Sequence, residues 1–464
     1  MPQSRNYISA LLFVANRFAL GQTGSLGKRV SPILIMFRNF LQYILAILAR
    51  LMLGRYKPKV IGITGNVGKT SVKDAVYAVV SFKFKTRKSE KSYNNEIGVP
   101  LTILGIASAG KNIFGWLWRL LKVVKYLIHS KYPEVLVLEM GVDKPMDMSY
   151  LLKIVQPDIA VFTSIGDIPV HVENFSSREA LIKEKLKLAS AVGKTGHVIF
   201  NEDVPAWQHI REKARAQTIT YGFSEQADVK ISTLERRVFE QDGKMAPLGI
   251  TFKIDYKGTF VPFRMDGVFS SDGAYSGGAA CAIGAALGIN LIDIASSLVH
   301  YTPPRGRLNL HEGIKGSLIL DDTYNASPSS MHSALAVLSE LPAKRKIAAL
   351  GDMLELGEYS EEAHRETGRQ AAKICDLIFL VGSRMRFAED EAIAKGFIKN
   401  KNIFVFDTSE EAGKTLREII KEGDLILAKG SQAIRMEKAV RRIIAHPDKA
   451  GELLVRQDPE WQKS

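Results

Sequence analysis

Along this chain, short unbroken apolar runs alternate with longer stretches of helical periodicity. The runs at 60–63 (VIGI), 135–138 (VLVL) and 159–163 (IAVFT) are too short for helices and are bounded by turn residues. They read as strands buried on both faces. Such strands alternating with helices, as they do to about residue 204, predict an α/β fold with a doubly wound parallel sheet. Residues 228–263 change character, with alternation such as TFKIDY at 251–256 predicting an antiparallel excursion, and the Ala- and Gly-rich stretch 273–287 predicts a closely packed helix. The two prolines and the glycine in YTPPRGRL at 301–308 stiffen and turn the chain, marking a boundary. Beyond it a second α/β unit begins, with strands expected at 317–321, 346–350 and near 424–429. Polar loops at 322–328 and 351–357 gather at one edge of its sheet. The expected domains are therefore a basic, apolar N-terminal segment (1–56), a central domain (57–303) and a Rossmann-like C-terminal α/β domain (304–464).

Length agrees with this count, since 464 residues make about three ordinary domains. The net charge of +14 is unevenly spread: residues 1–59 carry nine Lys and Arg and no carboxylate, and the first acid is Asp74. Nucleic acid and anionic lipid both suit such a segment, and its apolar richness favours lipid over nucleic acid. Within it, residues 33–53 are mostly apolar but interrupted by Arg38, Asn39, Gln42 and Arg50. A membrane-surface helix, a packing helix and a true span all remain open, the span least favoured because Arg38 breaks the apolar run. Residues 115–129 (GWLWRLLKVVKYLIH) form a basic amphipathic pattern, either a second membrane contact or a crossover helix with a solvated face. The two cysteines, Cys281 and Cys375, support no disulfide framework or metal cluster, which suits a reducing cytoplasm.

The candidate chemistry centres on TGNVGKTS at 64–71, which joins a strand to a helix start. Backbone N–H groups at a helix N-terminus and the positive end of its dipole suit a polyphosphate. Gly65, Asn66, Val67, Gly68, Lys69, Thr70 and Ser71 are the expected nucleotide-binding residues, with Lys69 supplying charge and Thr70 a hydroxyl for Mg²⁺. The common phosphate-loop pattern wants glycine where Ile63 stands, so this is a more compact variant. Glu139 ends an apolar strand at the sheet edge where such folds bind ligands, and its carboxylate suits Mg²⁺. Asn94 and Asn95 lie in a polar turn before Gly98, and His171 follows the strand at 159–163.

Eight stretches occur in one order: TGNVGKTS, NNEIGVPLTIL, LEMG, VHVENF, PPRGRL, DDTYNASPSSM, LGDMLELG and LAKGSQ. Over roughly residues 59–444 the chain thereby resembles the ATP-dependent Mur ligases. LGDMLELG and YNASP resemble the branch that adds D-alanyl-D-alanine to UDP-N-acetylmuramoyl-tripeptide in peptidoglycan precursor synthesis. The resemblance implies an EC 6.3.2-type ligase that uses ATP and Mg²⁺ and forms an acyl phosphate. Its substrates would be the muramoyl tripeptide precursor and D-Ala-D-Ala, and the expected state is a cytoplasmic monomer with peripheral membrane contact through residues 1–56.

Carried over position by position, the resemblance makes Lys69 the phosphate-neutralising lysine, and Thr70, Glu139 and His171 metal-binding residues. Lys185 matches the lysine that the family carbamylates, with Lys183 as the neighbouring candidate. Arg307, Asn325 and Asp322 would hold the nucleotide from the C-terminal domain, so that the site assembles by domain closure. Lys429 and Ser431, with Asn94 and Asn95, are candidate substrate contacts. The chain departs from the family at Phe269 and Gly273, which stand where His and Asn are usual, at Lys187 and Gln432, and in the short N-terminal segment. Two alternatives stay open. One is a Mur-type ligase using another amine or a lipid-linked or polymeric acceptor. The other is a noncatalytic regulatory homologue that keeps ATP binding.

Overall fold

A computed structural model describes residues 32–90, 93–110, 112–129, 131–241, 244–458 and 461. The chain divides into two units, Met1–Ile47 and Leu48–Ser464. The first described element, the helix Pro32–Tyr56, runs from one unit into the other.

Within the larger unit lie two sheets. The first contains β1 (Lys59–Thr64), β2 (Thr86–Lys88), β3 (Val135–Glu139), β4 (Ile159–Phe162), β5 (His197–Asn201), β6 (Gln217–Gly222), β7 (Val229–Gln241), β8 (Lys244–Tyr256) and β9 (Thr259–Asp266), in the order β2-β3-β1-β4-β5-β6-β7-β8-β9. Pairing is parallel from β2 through to β7 and antiparallel from β7 to β9. The parallel part is covered by helices, which explains strands such as β3, whose every residue is buried. Strand β1 lies between β3 and β4, so the chain reverses direction across the sheet at the C-terminal end of β1. Crevices of doubly wound sheets open at such a reversal, and the loop 65–68 begins there.

The second sheet contains β10 (Asn309–Glu312), β11 (Leu318–Asp322), β12 (Arg345–Gly351), β13 (Leu377–Val381), β14 (Ile403–Phe406) and β15 (Asp424–Lys429), in the order β10-β11-β15-β12-β13-β14. All pairs are parallel except β10–β11. Leu320, Leu350, Leu380 and Leu427 face one apolar core, and Ile319, Ala349, Val381 and Ile426 face another, as period-two alternation requires of a sheet covered on both sides.

The core of the first sheet gathers strand residues such as Ile61, Val137 and Phe252 against the helices Lys69–Ser81, Ser271–Ala286 and Leu291–Val299. Small residues let the middle helix approach closely: a Cβ on Gly277 would lie 2.7 Å from Cζ of Phe252, and one on Gly278 2.8 Å from Cδ1 of Ile231. A Gly277→Leu substitution should therefore overpack this contact and lower stability by about 3 kcal/mol. Urea denaturation of both proteins checks this; a wild-type midpoint in the variant would show that the helix has room to move.

Candidate active site

The loop between β1 and the helix Lys69–Ser81 is shaped by its glycines. Gly65 has φ 143°, and a Cβ there would lie 2.0 Å from Oγ1 of Thr163, so both its backbone conformation and the Thr163 side chain favour glycine. Gly68, at φ 82°, is the N-cap of the helix. The N–H groups of Asn66 and Val67 donate to the Ser164 carbonyl (2.9 and 3.0 Å), and the Asn66 side-chain amide donates to the Val170 carbonyl (3.0 Å). The loop is thus fixed by the two segments that follow β4, while Oδ1 of Asn66 stays buried with no hydrogen-bond partner.

Four charged side chains converge at this loop. Lys69 Nζ donates to the carbonyls of Gly65 and Asn66 (3.0 and 3.2 Å), and Lys185 Nζ, reaching in from the helix Arg178–Ala191, donates to the same Gly65 carbonyl (3.1 Å). Burial lowers the pKa of Lys69, with Arg307 adding to the shift and Glu139 opposing it. Lys185 is driven well below the ordinary lysine range, first by burial and then by the charge of Lys69. Glu139, buried at the end of β3, accepts hydrogen bonds from Thr70 Oγ1 (3.1 Å) and Asn94 Nδ2 (3.4 Å), with Lys73 Nζ at 4.0 Å. Two oxygens of different residues, Thr70 Oγ1 and Glu139 Oε2, therefore face each other at the helix start, a donor set that fits a hard divalent cation completed by phosphate and water oxygens. Among the described residues no three His, Cys, Asp or Glu side chains cluster as a metal cage.

A cleft of about 540 Å³ opens over the loop. Its lining includes Asn66–Thr70, Asn94, Glu139 and His171 from the first sheet and Arg307, Asn325, Glu355, Ser431 and Gln432 from the second, so the two sheets share one site. The Arg307 guanidinium lies over the Tyr324 ring, 4.2 Å from its centroid. His171 Nδ1 pairs with Glu355 at 2.8 Å, and its Nε2 lies 3.4 Å from Asp143. His171 holds the Glu355 carboxyl below the usual range through this hydrogen bond. From the neighbouring wall, Ser333 Oγ donates to the half-buried Asp272 (3.1 Å), a further link between the sheets, and desolvation pushes the Asp272 pKa up.

Other expected site residues are placed differently. Asn95 Oδ1 accepts from the N–H groups of Ile97 and Gly98 (3.2 and 2.9 Å), serving the turn, whereas Asn94 points at Glu139. Lys429 is buried, donating to Asp322 at 2.6 Å and to the Asn325 carbonyl at 2.9 Å. Ser431 Oγ accepts from the Leu354 N–H (2.9 Å), tying together the loops after β15 and β12. Lys183 is exposed to solvent, whereas Lys185 is buried, and Lys187 pairs with Glu184 at 2.6 Å. Ser71, Phe269, Gly273, Asp272, Asp322 and Lys429 line a smaller recess beside the cleft. There Phe269 is buried and a Cβ on Gly273 would lie 2.0 Å from Cγ1 of Val268, so these two departures close the wall with apolar packing.

Sequence reasoning missed Lys73, Asp143, Asp272, Tyr324, Glu355 and Trp461, all of which line the cleft or its neighbouring recesses. Lys73 follows Lys69 by one helical turn, a spacing that could have flagged it, and Glu355 sits inside LGDMLELG. Nothing local marks Trp461, whose ring packs against Arg435 and Arg456.

Comparison with known proteins places this site in context. Residues 117–261 match the Mur ligase middle domain and residues 306–432 the Mur ligase, glutamate ligase domain. The chain is 30% identical over 407 residues to the UDP-N-acetylmuramoyl-tripeptide--D-alanyl-D-alanine ligase of Bacillus subtilis (strain 168), covering 86% of this chain and 79% of that one. The enzyme of the same name from Rickettsia prowazekii (strain Madrid E) is 28% identical, covering 83% and 78%. Among solved structures, a MurF ligase from Thermotoga maritima in complex with ADP superposes with a TM-score of 0.70 at 26% identity, covering 91% of this chain and 86% of that one. Sequence and fold thus agree over both sheets and the cleft between them, and the chain belongs to the Mur ligase family.

Proposed function

We propose that this protein is an ATP-dependent amide-bond ligase that adds D-alanyl-D-alanine to UDP-N-acetylmuramoyl-tripeptide in peptidoglycan precursor synthesis. The observation that carries the reading is the shared cleft, in which the phosphate loop with Thr70 and Glu139 meets Arg307 and Asn325 from the second sheet. The relatives similar over four fifths of the chain bear the name of this activity.

In the proposed reaction a carboxylate oxygen of the tripeptide attacks the γ-phosphorus of ATP. ADP leaves and an acyl phosphate forms. The dipeptide amine then attacks the acyl carbon, the amide bond forms, and inorganic phosphate departs as the nitrogen loses its proton. Both steps concentrate negative charge on oxygens, and fixed cations and N–H groups in a water-poor cleft stabilise such charge best. Lys69 leaves the loop carbonyls for the β- and γ-phosphates. Arg307, held flat by Tyr324, offers its N–H edge from the opposite wall, and Asn325 lies beside it. Asp322 acts from beneath by fixing Lys429, and Lys429 in turn holds the Asn325 backbone. Ser431 and Asn94 border the acceptor and amine side, while Asn95 shapes the turn that presents Asn94.

Thr70 and Glu139 are the residues we assign to Mg²⁺, which when bound neutralises phosphate charge and polarises the γ-phosphoryl oxygens. His171 is the candidate for a second ion, and its pairing with Glu355 and Asp143 leaves its ring oriented by two carboxylates. Lys185 is the candidate for carbamylation. That reaction needs a neutral amine, and burial beside Lys69 favours it. The carbamate nitrogen–carbon bond forms by attack of the neutral Nζ on CO₂ with loss of a proton, converting the buried amine into an anion beside Lys69. The enzyme acts as a cytoplasmic monomer, with residues 1–56 at the inner face of the membrane. The part Met36–Tyr56 is long and apolar enough to cross a bilayer by length and composition alone.

Phosphate release should require ATP, the muramoyl tripeptide and D-Ala-D-Ala together; turnover with another amine, or nucleotide binding without turnover, would replace this reading. Lys69→Ala should lower kcat by about 100-fold or more while the protein stays folded, because its charge serves phosphate. Unchanged turnover would remove Lys69 from the reaction. Lys185→Ala should also lose activity, and wild-type enzyme decarbamylated by brief acidification should regain activity on adding bicarbonate. Full activity without bicarbonate would dismiss carbamylation.

A further inference from the structure

The helix Ile113–His129 has no part in the proposed reaction, and its surface is unlike that of a solvated helix. Phe114 and Trp118 are 84% and 73% exposed, and Leu117, Leu121 and Val124 are exposed with them. At 100° per residue these five fall within about 120° on one face, opposite the buried Trp116 and Val123 that anchor the helix to the protein. Trp116 is fixed further by its indole N–H, which donates to the Gly110 carbonyl (3.0 Å). The stripe is therefore held outward by the fold. A contiguous exposed stripe of large apolar side chains marks an interaction surface.

Its charge indicates what covers it. The helix carries Arg119, Lys122 and Lys125 and not one Asp or Glu among its 17 residues. The exposed Lys122 borders this face and Lys125 stands at its C-terminal end, with the Lys122 ammonium 5.5 Å from the Tyr126 ring centroid. Aromatic and aliphatic residues on one face with bordering lysines suit insertion at the headgroup boundary of a bilayer. A second copy of the chain fits less well, because an isologous contact on this face brings the same cations together with no carboxylate on the helix to answer them.

A second observation points the same way. Tyr56, the last residue of the helix Pro32–Tyr56, stacks on Tyr132 (4.8 Å between centroids) and donates its hydroxyl to the Tyr126 carbonyl (2.8 Å). The end of the longest apolar helix among the described residues is thus fastened to the end of the amphipathic one. Beside it Leu51 is exposed, with Arg50 and Arg55 exposed on the same last turns.

We infer that the helix Ile113–His129 docks by its Phe114–Leu117–Trp118–Leu121–Val124 stripe onto an anionic lipid surface. This surface adjoins the C-terminal end of the helix Pro32–Tyr56 and is independent of the ligase reading.

Full-length protein mixed with vesicles of phosphatidylglycerol and phosphatidylcholine, or of phosphatidylcholine alone, tests it. Binding should favour the anionic vesicles and weaken with salt. Leu117→Ser/Trp118→Ser/Leu121→Ser should bind at least tenfold more weakly in co-sedimentation, with phosphate release on soluble substrates unchanged. Brominated lipid should quench the wild-type tryptophan emission, and Trp118→Phe should remove most of that quenching. Residues 1–56 contain no tryptophan, Trp116 and Trp207 are buried, and the half-buried Trp461 lines the cleft, so the part of the quenching that Trp118→Phe removes reports this face. Vesicle binding equal to wild type in the triple variant would overturn the inference, as would quenching that survives Trp118→Phe. So would wild-type protein that ignores vesicles, including the case where sedimentation velocity shows the stripe holding two copies together.

Discussion

The structure depends on how buried charge is balanced around the Gly65 carbonyl. Two lysines from different helices, Lys69 and Lys185, donate to that one oxygen, and both are driven toward neutrality by burial. Glu139 is buried nearby among Thr70, Asn94 and Lys73. Desolvated cations without full compensation are costly, and a fold keeps them where a ligand supplies the missing anion. A triphosphate does so, and a carbamate on Lys185 would do part of the same work. The glycines of the loop follow from this constraint, because the backbone must pass close to Thr163 for its carbonyl and N–H groups to reach these positions.

The second constraint is that the other half of the cleft arrives from a separate sheet. Polar pairs join the halves, among them His171 with Glu355, Ser333 with Asp272 and Arg236 with Glu340. His171 and Glu355 both sit in the left-handed region, at φ 68° and 65°, where side chains other than glycine are uncommon. Strained residues that face each other across a domain junction hold their geometry only while the junction holds. The pairing therefore ties local backbone conformation on each side to the contact between the two sheets.

Much of the fold was legible because its signals are local. Buried parallel strands announce themselves as unbroken apolar runs, and the loop 64–71 carries its own glycine spacing. The antiparallel excursion was visible from alternation and appears as β7–β9. What escaped is non-local. Glu355 meets His171 across 184 positions of chain, and no spacing in the sequence encodes that approach. Asn94 and Asn95 look equivalent as letters, yet the Asn95 amide oxygen takes two turn N–H groups, which leaves only Asn94 to reach Glu139. The helical period of 115–129 was readable, but whether its apolar face is inside or outside depends on what packs there. The structure answers by burying Trp116 and Val123 and leaving Trp118 out.

Lys429 shows how sequence position and chemical role can separate. It ends β15 beside the cleft, where a lysine could contact substrate, yet its ammonium is sealed between Asp322 and the Asn325 carbonyl. The pairing of Asp322 with Lys429 in strand register puts the two side chains on neighbouring strand ends, so the ion pair forms as a consequence of sheet topology. Buried and hydrogen-bonded on two sides, it orients the chain at Asn325, and through it the amide that accepts the Gln432 N–H at 3.3 Å. Breaking such a pair leaves a lone buried charge, which costs more than the intact pair contributes. The lysine therefore acts on this wall of the cleft through rigidity, while Arg307, lying over the Tyr324 ring, lines the cleft itself.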